Sequence, residues 1–138
     1  MDQIDTSCGA CNAYCFLIFI LISTVLGRTP SERSVMLVPL WSYGEIMSGN
    51  ISILKEVLLN YILLCPVGIM LPFVFNKRLN WKVGLVIGLI ASSVIEVLQL
   101  ITCRGLFEMD DIIHNSIGCM FGCVICSRIR TMVKKQFS

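Results

Sequence analysis

The stretch EVLQLITCRGLFEMDDIIHN, residues 96–115, gathers the side chains best suited to chemistry: Glu96, Gln99, Arg104, Glu108, Asp110, Asp111, His114 and Asn115. Acids and amides can hold a polar head group or order a cation. Adjacent acids can bind Mg²⁺ beside a phosphate whose charge an Arg neutralises. His114 lies three residues from Asp111 and could ligate a metal, although a lone His at an interface is more often simply solvated. No Ser or Cys nucleophile with a paired base lies in the cluster, and no catalytic motif is present. Each residue also has a plain structural reading. Glu96 with Gln99 can fix helix register. Asp110 can be a helix N-cap, Asp111 a favourable charge at a helix N-terminus, and Arg104 a side chain that snorkels to lipid phosphates.

The surroundings make the cluster costly. The chain has 138 residues, 56% hydrophobic and 14% charged, with mean hydropathy +0.81. A soluble domain carries about 25% charged residues, so this depletion indicates an integral membrane protein. A net charge of +2 gives no case for nucleic acid. Most of the eight cysteines sit inside apolar runs, where Cys behaves as a small hydrophobe. Two CxxC pairs, Cys8/Cys11 and Cys123/Cys126, lie near the two chain ends and would bind zinc or act in redox chemistry only if those ends met.

Apolar runs predict spans at about 8–26, 53–75, 83–102 and 111–127, each near the length that crosses a ~30 Å hydrocarbon core. The first is read as a retained helix, because its leader has no Lys or Arg and no small-residue cleavage pattern follows. Residues 34–47 are amphipathic, broken by Pro39 and Gly44, and too short to span. Trp41 and Tyr43 suit the head-group level, so this is an interfacial or re-entrant segment. Pro66 predicts a kink in the second span. With four spans, one side holds Lys77, Arg78, Lys82, Arg128, Arg130, Lys134 and Lys135, and the other holds Arg28, Arg33, Lys55 and Arg104. The basic excess puts both termini in the cytoplasm and the polar cluster on the outer side.

Helical periodicity then aligns the cluster. Gly84, Gly88, Ser92, Glu96, Gln99 and Cys103 form one stripe, and Asp111, Asn115, Gly118 and Gly122 another. Glu96 sits about 9 Å in from the outer helix end at ~1.5 Å per residue. Glu56 and Asn60 share a face near the same boundary. The two small-residue stripes predict close packing of the third and fourth spans, or a homo-oligomer through the Gly faces. The expected arrangement is a funnel open outward, with polar walls and an apolar base.

Glu96-x-x-Gln99, Arg104, Phe107, Asp110-Asp111, Asn115 and Gly118 together resemble the VanZ-like membrane proteins. NYILLCPVGIMLP, residues 60–72, and LVPLWSY, residues 37–43, resemble further segments of that family. The resemblance covers about residues 35–125. Met36 and Leu40 depart from the usual Asn and Phe, and Glu108 from a frequent Asp. The resemblance implies a multi-pass protein of the bacterial plasma membrane, associated through the family's namesake with resistance to lipoglycopeptides such as teicoplanin.

The fold expected is all-α, a single membrane domain over 1–138 with about four transmembrane helices plus the interfacial segment. The function expected first is binding, without catalysis or cofactor, of an envelope lipid intermediate or a lipoglycopeptide. The ligand would be held by Glu56, Asn60, Glu96, Gln99, Arg104, Asp110, Asp111 and Asn115, with membrane lipids as surroundings. The second candidate is an enzyme acting on a lipid-linked diphosphate, and the third a small proton-coupled transporter using Glu96.

Overall fold

The computed structural model describes residues 15, 16, 18–20, 22–24 and 34–136. The described residues of the expected first span are helical; the remainder of 8–26, with Cys8 and Cys11, lies outside the described residues. From residue 34 the chain forms β1 (Val35–Met36), then helices α1 (Trp41–Met47), α2 (Ile51–Leu63), α3 (Cys65–Val74) and α4 (Trp81–Thr102). After β2 (Phe107–Glu108) it enters α5 (Met109–Gln136). Among the described residues three helical runs are long and apolar enough to cross a membrane: Ile51–Val74, Trp81–Thr102 and Met109–Val133.

Burial is inverted relative to a water-soluble domain. Ser92, Glu96, Gln99, Asp110, His114 and Asn115 are each at most 1% exposed, whereas Leu59, Ile62, Ile90, Ile101, Phe121 and Ile125 are more than half exposed. In water such an apolar exterior would drive association. Against hydrocarbon it is the surface that lipid tails cover, and the spanning helices satisfy most of their own backbone polar groups. The chain is an all-α membrane bundle, with its apolar core around Leu64, Val67, Leu71, Ile95, Cys119 and Cys123.

The interruption between α2 and α3 follows from Pro66. It lacks an N–H, and its ring would strike the Ile62 carbonyl. The helix stops at Leu63 and restarts at Cys65 across Leu64, at φ −97° and ψ 0°. α5 is the central helix and packs along α4, α3 and α2. α4 and α5 pack closely, as the two stripes predict, but the glycines of α5 do not meet those of α4. Gly84 and Gly88 lie on Cys123 and Ser116 of α5, whereas Gly118 and Gly122 lie against the backbone of Tyr61 and Cys65. α5 is thus clamped between two partners by two faces. Both glycine stripes are filled by contacts within the chain.

α4 ends in a Schellman turn. Cys103 takes the left-handed conformation at φ 53°, the Arg104 N–H donates to the Gln99 carbonyl at 3.0 Å, and the Cys103 N–H to the Leu100 carbonyl at 3.4 Å. The chain then turns back beside residues 34–36. β1 and β2 pair in parallel, Val35 opposite Phe107 and Met36 opposite Glu108, so the interfacial segment is docked rather than loose. α5 runs well past the expected end at 127. Arg128 to Lys135 continue the helix, whose 28 residues span about 42 Å at ~1.5 Å each, more than a hydrocarbon core needs.

A Cβ at Gly118 would overlap the Tyr61 carbonyl, while nothing lies within 4 Å of a Cβ at Gly44. Gly118→Val should therefore lower unfolding stability in detergent by about 1–3 kcal/mol or more. Gly44→Ala should be neutral or stabilising by up to about 1 kcal/mol. Thermal unfolding of the two purified variants checks the contrast.

Candidate functional site

The buried polar residues form one layer at the end of the bundle where α2 and α5 begin and α4 ends. Three of its four acids have partners that can be named. Asp110 accepts from the backbone N–H groups of Leu40 and Ser42 (3.0 Å for Ser42) and from the Ser42 hydroxyl. It does not cap its own helix, as the sequence suggested. It sits in the first turn of α5 and caps the start of α1, seventy residues back. Leu40 takes φ 62°, and the backbone donors of residues 40 and 42 converge on this carboxylate. Asp111 accepts from the Asn60 amide, tying α5 to α2. Glu96 accepts from the Glu108 N–H at 3.1 Å, tying α4 to β2.

The amides carry a second tier of contacts. Gln99 Nε2 donates to the Thr24 carbonyl at 3.2 Å. Asn115 Nδ2 donates to Ser92 Oγ at 3.1 Å, and Ser92 in turn donates to the Asp111 carbonyl at 3.4 Å. Their other ends differ. Gln99 Oε1 and Asn115 Oδ1 are buried with no hydrogen-bond partner. Both free atoms are acceptors, and the partners on the opposite side fix this: a carbonyl can only accept from Nε2, and a hydroxyl that gives its proton away can only accept from Nδ2.

These residues surround a cavity of about 550 Å³. Of the expected binding residues, Glu56, Asn60, Glu96, Gln99, Asp111 and Asn115 are in its wall, with Glu56 exposed at the edge. Arg104 and Asp110 are not in the wall. Arg104 is half-buried in the turn after α4, and Asp110 is spent on α1. The apolar part of the wall is Leu59, Ile62, Leu63 and Ile95. Among the described residues no Lys or Arg lines the cavity.

Sequence reasoning left Ser42, Ser92 and the wall position of Glu108 out of the site. Ser92 falls on the α4 stripe, and that spacing was the available signal. Nothing local marks Ser42, whose partner is far along the chain. His114 is completely buried. Its ring lies 5.7 Å from Tyr43 and 4.9 Å from Tyr61, and the two tyrosine hydroxyls lie 3.0 Å apart. This aromatic contact replaces the solvated position expected of it. Among the described residues no group of three His, Cys, Asp or Glu side chains is arranged to hold a metal ion.

The VanZ/LLP1 family profile matches residues 11–130. The chain belongs to the VanZ/LLP1 family. The match takes in α1 to α4, the Glu96–Asn115 hairpin and most of α5, so the polar layer lies wholly within the family domain. No curated protein and no solved structure matches the chain.

Removing the Asp110 carboxylate would leave the Leu40 and Ser42 donors unmet in a dry site. Asp110→Ala should cost about 1–3 kcal/mol. The loss should be local. Hydrogen exchange should quicken across 40–47, with α4 unchanged. Unaltered protection at 40–47 would remove Asp110 as the anchor of that segment.

Proposed function

We propose that this VanZ/LLP1 protein binds the polar head of an amphiphilic cell-envelope molecule, a lipid-linked intermediate or a lipoglycopeptide such as teicoplanin, without transforming it. The observation that carries this reading is the pair of buried amide oxygens in the cavity wall, Gln99 Oε1 and Asn115 Oδ1, left without partners. A buried acceptor without a donor costs about 1–3 kcal/mol, and a ligand that supplies an N–H or O–H recovers it. The wall thus favours a donor-rich head group, such as the amine, amide and hydroxyl groups of an amino-sugar or a peptide. The apolar wall of Leu59, Ile62 and Ile95 suits the base of an attached tail. Membership of the VanZ/LLP1 family supports the link to lipoglycopeptide tolerance.

The same reading makes the protein multi-pass in the bacterial plasma membrane, with both termini cytoplasmic and the cavity facing outward. The distribution of charge supports it. Lys77, Arg78, Lys82, Arg128, Arg130 and Lys135 lie at the end of the bundle away from the cavity, as the positive-inside rule requires.

Calorimetry on the full chain in nanodiscs, with teicoplanin and with a lipid-linked peptide–sugar intermediate as ligands, tests this. At least one should bind, and Gln99→Leu, which removes the free acceptor together with the Nε2 donor to Thr24, should weaken it about tenfold or more. Wild type should raise the inhibitory concentration of teicoplanin in a susceptible host, and Gln99→Leu at equal membrane level should not. Equal binding by wild type and variant would refute the site.

A further inference from the structure

The opposite end of the bundle holds a second cavity that the outer site does not use. It measures about 570 Å³ and is lined by Lys77, Arg78, Arg130 and Lys135 together with Ser127 and Thr131, among others. Arg78 also borders two adjoining depressions, one of them shared with Arg128 and Trp81 and the other with Arg128 and Lys135.

Three observations separate this from ordinary basic flanks. First, the segments that line it carry no acid. The sequence has no Asp or Glu from 57 to 95 or from 112 to 138. The cations of this end therefore have no carboxylate partner within their own segments. Second, one cation is fixed in place. The Arg130 guanidinium donates to the Pro72 carbonyl and to Asn76 Oδ1 and lies 5.7 Å from the Phe73 ring centre. It is held at the cavity edge without losing its charge, and an anion meets it without the entropic cost of ordering a long side chain. Third, the cavity lies where two of the apolar runs end. Asn76 to Arg78 follow the apolar run ending at Val74, and Ser127 to Lys135 straddle the end of the run that closes at Val133. Exposed Phe73, Phe75 and Met132 offer apolar surface beside it.

We propose that this cavity binds a phosphate group, carried by an anionic phospholipid of the leaflet in which that end of the bundle lies. A phosphodiester there presents acceptor oxygens and negative charge to the cations, and its acyl chains run back along the exposed apolar face. Basic pockets between membrane helices are suited to such head groups. The proposal is independent of what the outer cavity binds.

The test uses the full chain in nanodiscs of phosphatidylcholine with a minor share of phosphatidylglycerol, released for native mass spectrometry to count retained lipid. Arg78→Gln and Lys82→Gln remove the same charge. Arg78 lines the cavity, whereas Lys82 is held 5.8 Å from the Trp81 ring centre outside it. Both side chains are exposed, and circular dichroism checks that both variants fold. Retained phosphatidylglycerol should fall about tenfold in Arg78→Gln and less than twofold in Lys82→Gln. Equal losses would mean diffuse surface attraction and overturn the site, as would no retention by wild type. In a second arm, pyrophosphate is titrated into phosphatidylcholine-only nanodiscs. Weak or no binding supports the lipid as the source. Tight binding of pyrophosphate with no retained phosphatidylglycerol would overturn it.

Discussion

A carboxylate in a hydrocarbon layer must be answered by a donor, and the architecture of this protein follows from how its acids are answered. Asp110 takes the two backbone donors and the hydroxyl at the start of α1, Asp111 takes the Asn60 amide, and Glu96 takes the Glu108 N–H. Each bond joins segments that are distant in the chain or meet only across the α4–α5 hairpin. Together they fix the interfacial segment, α2, α4 and the start of α5 into one layer. Charged groups at membrane depth cost several kcal/mol when unpaired, so this layer has little freedom to rearrange. The glycine contacts below it let α5 come close enough on both sides for the layer to close.

Much of this was legible in the residues. Apolar runs located the three described spans to within about two residues at most of their ends, because a bilayer sets run length. The spacing Ser92, Glu96, Gln99 put three wall or layer residues on one face of α4. What could not be read was direction. Asp110 and Asp111 are neighbours, and neighbours on a helix point about 100° apart, so one reaches α2 and the other α1. Neither target is local. The glycine stripes were visible, but a stripe names no partner, and those of α5 turned out to face Tyr61 and Cys65. The end of α5 was set too early because Arg128 to Lys135 mark the edge of the apolar run. Arg and Lys are also good helix formers, and the helix continues through them.

The two ends of the bundle have opposite chemistry. One cavity is walled by carboxylates and amide oxygens and contains no Lys or Arg among its described residues; the other is basic, with no acid in the segments that build it. On the readings proposed above, each end holds an amphiphile, a donor-bearing head at one face and a phosphate at the other. The fold is then a rigid frame that keeps two unlike polar surfaces apart across an apolar middle.

The most direct measurement is electron cryomicroscopy of the full chain in a lipid nanodisc with the amphiphile that calorimetry identifies. The account predicts head-group density between α2 and α4, with a donor within hydrogen-bond distance of Gln99 Oε1 and Asn115 Oδ1. Ligand density on the outer apolar face, with both amide oxygens still unmet, would contradict it.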